Sequence, residues 1–360
     1  MKHDESLKTM LPKSLLPLLT ALLIAPAAVP LLPATVRAQM TTETDAAALL
    51  EEANRLLSQG IEQYQVSQFR EALLSWEQAL ELYRNPAVQA TFPQESRQRE
   101  GAALGNLGLA YADLGQYQEA IALYEQQLVI TREIGDRRGE GIALGNLGNA
   151  YAELGQYQEA IALYEQQLVI AREIGDRQGE GAALGNLGIA YRNLGQYQAA
   201  IDFYEQYLAI AREIGDSPEE RLRQRRGEGN ALNNLGIAYR NLGQYQTAID
   251  FYEQQLVITR EIGDRQGEGA ALGNLGNAYR NLGQYQTAID FYEQVLVITR
   301  EIGDRQGEGF SLNNQGVTLL EVEDYLQAES VLRQSINLFE SLRTNLPDDQ
   351  LISLADTQAL

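Results

Sequence analysis

Ala103-Leu-Gly-Asn-Leu-Gly108 is the stretch that decides the reading of this chain, because it returns. It stands again at 143–148, 183–188 and 271–276, and as Ala231-Leu-Asn-Asn-Leu-Gly236. Its companion, Leu114-Gly-Gln-Tyr-Gln118, recurs at 154, 194, 242 and 282, so most copies lie forty residues apart. A constant period of this size marks a solenoid of stacked supersecondary units. Such a body offers a long binding surface rather than an active-site pocket.

Residues 137–176 show one unit. Leu144, Leu147, Ala150, Tyr151 and Leu154 fall at helical spacing and give a first helix one apolar face. Gly155 suits a left-handed cap. A second helix starts at Gln156-Tyr157 and carries Ala160, Ile161, Tyr164, Leu168, Ile170 and Ile174; Gly175 closes it, and Asp176 is the N-cap of the next unit. Gly148 and Ala160 mark close helix approaches, and Tyr157 and Tyr164 fill the space between units. No stretch alternates with period two, so the fold is expected to be all-α.

Seven units follow, at 45–84, 97–136, 137–176, 177–216, 225–264, 265–304 and 305–342. The outer two are degenerate, as capping units are. Gln59 and Gln315 replace the leucine seen at Leu107, and Trp76, read as core, replaces Tyr124. Two spacings are longer. Residues 85–96, with Pro86 and Pro93, read as a linker loop. Ser217-Pro-Glu-Glu reads as a capped helix start, so the first helix of the fifth unit is expected to be about two turns longer than its peers.

Composition narrows the function. The net charge is −21, and four of the 28 basic and two of the 49 acidic side chains lie in the first 38 residues, leaving −23 for the rest. Such a surface repels phosphate backbones, so no nucleic-acid partner is expected. There is no cysteine, and Lys2, Lys8, Lys13 and His3 are the only lysines and histidine. Thiolate, zinc–cysteine, lysine and histidine chemistry are therefore excluded from the body. We expect no metal, no cofactor and no enzymatic activity. The carboxylates read as solvated faces, and Gly139-Glu-Gly141 lacks the strand and third glycine of a dinucleotide loop.

Residues 1–38 read as a secretory signal: a lysine-bearing start, an apolar run from Leu15 to Ala25, and Val36-Arg37-Ala38 before a cleavage site. Pro17, Pro26, Pro30 and Pro33 argue against a spanning helix. The expectation is export to the periplasm or extracellular space after cleavage near Ala38. Membrane attachment would come only from an uncleaved leader.

The unit resembles the tetratricopeptide repeat at Leu107, Gly108, Tyr111, Ala120 and Tyr124, over about residues 45–342. It departs in its period, against the family's 34, and in placing Arg132 where proline is usual. The longer form is similar to the repeats of Pins-type G-protein regulators and kinesin light chain. The resemblance implies a right-handed superhelical α-solenoid whose concave groove binds extended peptides or partner helices.

Aligned on Gly108 and its equivalents, the expected inner face carries Asn106, Asn146, Asn186, Asn234, Asn274 and Asn314 two residues before the glycine. Asn149 and Asn277 stand one after it, and Arg192, Arg240 and Arg280 four after, where earlier units have Ala112 and Ala152. Asn193, Asn241 and Asn281 stand five after, against Asp113 and Glu153. Carboxamides pair with a peptide backbone, and arginines grip carboxylates through two parallel bonds. Two other readings stay open: the asparagines bond neighbouring units, and the arginines pair with Asp202, Asp250 and Asp290. We expect an interaction scaffold for an acidic peptide segment, favoured by 177–304 over 97–176. The tail 343–360, in which Pro347 stops the last helix, resembles the junction before a bacterial CHAT peptidase domain. That implies an alternative, the recognition half of a split peptidase system.

Overall fold

Gly155 is where the first helix of a unit hands over to the second. Its φ is +72°, and Gln156 N–H donates back to Tyr151 O at 2.9 Å, which closes the helix end. At the other handover Gly175 has φ +70°, and Asp176 caps the following helix by accepting from Gly179 N–H at 2.9 Å.

The structure, a computed structural model, describes residues 43–213 and 217–344. The leader expected over 1–38 and the tail beyond 344, with Pro347, lie outside the described residues. Every regular element among the described residues is a helix. α1 (Glu43–Gln65) pairs with α2 (Phe69–Tyr83), α3 (Pro86–Thr91) is an insert, and α4 (Pro93–Asp113) pairs with α5 (Tyr117–Glu133). Then come α6 (Arg137–Glu153) with α7 (Tyr157–Ile174), and α8 (Arg177–Asn193) with α9 (Tyr197–Ala211). Last are α10 (Pro218–Asn241) with α11 (Tyr245–Glu261), α12 (Arg265–Asn281) with α13 (Tyr285–Ile302), and α14 (Arg305–Glu321) with α15 (Tyr325–Thr344). No described helix is long and apolar enough to cross a membrane.

The core straddles the unit boundaries. Ala160, Ile161, Tyr164 and Leu168 of α7 pack with Ala183, Leu184, Leu187 and Ala190 of α8, the first helix of the next unit. A Cβ at Gly148 would overlap the Tyr164 ring, so the glycine sets how closely α6 and α7 approach. First helices of successive units touch one another from α4 to α14, while second helices make no comparable contact. The first-helix layer is therefore the inner wall of the curve.

One edge is held by charge. Glu140 is buried, accepts from Arg132 Nε at 2.8 Å and from Arg137, and Arg137 also reaches Glu173. Burial alone would raise the Glu140 carboxyl, but the two arginines outweigh it and hold the group below the ordinary carboxylate value. The arrangement recurs at Glu100, Glu180, Glu228, Glu268 and Glu308. These carboxylates are not the solvated face that the sequence suggests. Burial of Glu140 is a property of the stack, and Arg132, where the family has proline, is one of its partners.

The stretch 85–96 is likewise not a loop. Asn85 accepts from Ala87 N–H at 2.9 Å and starts α3, whose Val88 joins the first core, and Pro93 opens α4. Both prolines occupy first-turn positions, where a missing N–H costs nothing. In the fifth unit Ser217 and Glu220 form a capping box, and α10 runs 24 residues against 17 in α8. Trp76 is core, donating to Leu57 O at 3.1 Å. In the outer units Ser67 (φ +61°) and Glu323 (φ +62°) take the left-handed turn that glycine takes elsewhere.

Candidate peptide groove

Each first helix presents one stripe to the concave side. On α6 it runs Arg138, Ile142, Asn146, Asn149 and Glu153, steps of four and three that stay on one helical face. Leu144, Leu147 and Gly148 point the other way and are buried.

Asn106, Asn146, Asn186, Asn234, Asn274 and Asn314 are half-buried in this stripe. Four expected site residues are engaged within the protein. Asn149 Oδ1 accepts from the Tyr164 hydroxyl at 2.8 Å and from Asn186 Nδ2 at 3.1 Å, joining the third unit to the fourth. Asn277 Oδ1 accepts from the Tyr292 hydroxyl at 2.9 Å, and Asn274 Nδ2 donates to Asn233 Oδ1 at 2.9 Å across the fifth and sixth units. The structural role held open for asparagine is thus real at Asn149, Asn186, Asn274 and Asn277. Asn106, Asn146, Asn234, Asn241 and Asn281 form no side-chain hydrogen bond among the described residues, and Asn193 has only a long contact from Arg192, at 3.4 Å.

The arginines differ. Arg192, Arg240 and Arg280 are half-buried, and none forms an ion pair among the described residues. Asp202, Asp250 and Asp290 instead accept from Gln198, Gln246 and Gln286 on their own helices, at 3.3, 3.4 and 3.2 Å. The internal pairing that would have consumed the arginines is absent there. Burial pushes the hydroxyls of Tyr204 and Tyr252 up to about 12, against the pull of the Arg192 charge on the first and the Arg240 charge on the second. In the earlier units Asp113 accepts a hydrogen bond from the Tyr64 hydroxyl, and Glu153 lies beside Tyr117, which burial and that charge push upward.

Packing behind the stripe changes with it. Tyr191, Tyr239 and Tyr279 stack on Phe203, Phe251 and Phe291 at 5.3 to 5.4 Å between ring centroids. The earlier units have Leu123 and Leu163 there.

One column of the groove escaped the sequence reading: Ala102, Ile142, Ala182, Asn230, Ala270 and Phe310. All are exposed, Ile142 by 51% and Phe310 by 54%. The signal was one step of four before each asparagine. Beside Asn230 a polar cleft of about 420 Å³ opens between α10, α11 and α12, lined by Arg226, Gln255 and Asp264 among others; no arginine of the 192–240–280 row borders it.

The family model that matches is described as tetratricopeptide repeat, over residues 99–168, 140–213, 227–301 and 269–341. The chain belongs to the tetratricopeptide repeat family. Among curated proteins none matches it. BtubC (BKLC) from P. vanneervenii is similar in structure, with TM-score 0.55 and 20% identity over 65% of this chain and 92% of that one. Aspartyl phosphate phosphatase F from Bacillus subtilis has TM-score 0.57 and 12% identity, over 83% of this chain and 95% of that one. A signal transduction ATPase with numerous domains and a tetratricopeptide repeat sensor, from Pyrococcus horikoshii, has TM-score 0.59 and 17% identity over 84% of this chain and 48% of that one. These likenesses show the fold. As a tetratricopeptide repeat chain, the protein has the scaffold architecture by which such folds engage other proteins. Among the described residues no three or more histidines or carboxylates gather to hold a metal ion.

Proposed function

We propose that this scaffold binds an acidic peptide segment, extended or helical, along its concave groove and performs no chemistry of its own. The observation that carries the reading is the row of three half-buried arginines without carboxylate partners, while the aspartates nearest in sequence bond elsewhere. In a protein this acidic, uncompensated guanidinium groups on the inner wall form a local site for carboxylates. The leader composition adds that the interaction takes place outside the cytoplasm.

The test is fluorescence anisotropy with labelled peptides of equal length, one rich in glutamate, one in glutamine and one in lysine. The glutamate peptide should bind best, and more weakly as salt rises. Changing Arg192→Glu, Arg240→Glu and Arg280→Glu together should weaken it at least about a hundredfold, ~2.7 kcal/mol, with little change in melting temperature. A large loss of stability with unchanged binding would assign the arginines to the fold instead.

A further inference from the structure

Tyr164, Tyr204, Tyr252 and Tyr292 occupy the same seat in four successive units. Each ring lies against the glycine of its first helix, Gly148, Gly188, Gly236 or Gly276, where a Cβ would collide with it. The seats are equal, but the hydroxyls are not. In the third and sixth units the hydroxyl donates to a groove residue, Asn149 or Asn277. In the fourth and fifth, Ile189 and Ile237 stand in that column. There the hydroxyls of Tyr204 and Tyr252, whose side chains are 0% exposed, have no acceptor. A buried donor left unmatched destabilises the free protein. Because the equivalent hydroxyls reach the asparagine column, these two are aimed at the groove floor. Arg192 and Arg240, without carboxylate partners, stand three residues beyond Ile189 and Ile237 on the same helical face, and their charge reaches these hydroxyls.

Building on the groove reading above, we infer that the fourth and fifth units hold a matched pair of carboxylate subsites, Arg192 with Tyr204 and Arg240 with Tyr252. They recognise two acidic side chains three residues apart on an extended peptide. The spacing follows from the stack: the first helices α8 and α10 touch. Their axes are therefore about 8–10 Å apart, and an extended chain in the polyproline II form, with about 3.1 Å per residue and three residues per turn, brings residues i and i+3 to one face about 9 Å apart. Each guanidinium offers two parallel donors and each phenol one more, and a carboxylate has lone pairs for all three. The hydroxyls are covered in the unliganded protein, so the side chains over them move aside as the carboxylate enters. Arg280 adds charge without a third donor, because Tyr292 already donates to Asn277.

The experiment uses the full chain and labelled ten-residue peptides of glycine, serine and threonine. These carry two glutamates at i and i+3, at i and i+1, or at i and i+6, or two glutamines. The i, i+3 peptide should bind at least fivefold tighter than the other spacings. Tyr204→Phe with Tyr252→Phe should erase that preference while raising the melting temperature, since it removes two unmatched donors. Ile189→Asn with Ile237→Asn, which supplies the internal acceptor found in the third and sixth units, should also erase it. Arg280→Ala should weaken all acidic peptides alike and leave the preference intact. Equal binding at every spacing, or a preference that survives both double variants, overturns the inference. If that occurs while the triple arginine reversal still abolishes binding, the groove reading stands alone. If no glutamate peptide outbinds the glutamine peptide, both fail.

Discussion

The second and third units and the fourth to sixth are built on one core and carry two different linings. Leu107, Leu147, Leu187, Leu235 and Leu275 are buried alike in both groups. Four positions change together. Ala112 and Ala152 become arginine, Asp113 and Glu153 become asparagine, Ala122 and Ala162 become aspartate, and Leu123 and Leu163 become phenylalanine. The phenylalanines stack on Tyr191, Tyr239 and Tyr279. The lesson is that the buried helix–helix contacts and the groove vary independently, and that a groove change brings its own local packing. A solenoid allows this because each unit meets only its neighbours.

If the difference is confined to the lining, the two groups should respond equally to damage at the charged edge. Removing both Arg132 and Arg137 leaves Glu140 buried and unpaired, and removing both Arg260 and Arg265 does the same to Glu268. Each pair of changes should cost about 3 kcal/mol in urea unfolding. A markedly smaller loss in one group would show that the two edges are unlike.

Acid should act on both groups in the same sense. Glu140 and Glu268 are held below their ordinary value of 4.5 when folded. Their contribution is therefore present above about pH 4.5 and is lost as pH falls through the folded values. Thermal melts at falling pH should show this decline. The variant carrying Glu140→Gln and Glu268→Gln should be less stable at neutral pH and show a shallower decline.

A graft tests the lining itself. Ala152→Arg with Glu153→Asn gives the third unit the arginine and asparagine that the fourth has at these two positions, and should tighten a glutamate-rich peptide about fivefold, ~1 kcal/mol. Unchanged affinity would mean that the phenylalanine and aspartate behind the stripe are also needed. The smallest effect belongs to the outer units. Ser67→Gly and Glu323→Gly, at left-handed turns, should each stabilise by about 0.5–1 kcal/mol in chemical denaturation. No gain would show that their surroundings favour the strained conformation.

The architecture was legible because period, glycine caps and Asp176-type N-caps are local signals that all agree. The longer α10 was legible for the same reason, since Ser217 and Pro218 announce a helix start. Residues 85–96 misled because proline is read as a breaker unless the helix it opens is already known. The buried Glu140 was hidden because one of its partners, Arg132, comes from the preceding helix and its cover from the stack. The groove was half legible. The asparagine and arginine columns follow from helical spacing. That Asn149 is consumed by Tyr164 and Asn186, while Asn146 is left open, depends on side-chain reach across two units. The choice of Asp202 for Gln198 over Arg192 is a matter of rotamers, which spacing does not encode.

Because the apolar clusters of the central units join the second helix of one unit to the first of the next, the junctions spaced by forty residues have nearly the same shape. A forty-residue block inserted between two central units would find a fitting neighbour on either side and leave the terminal helices undisturbed. Genetic duplication or deletion can therefore lengthen or shorten the trough in whole steps, and each step adds or removes one set of first-helix lining residues.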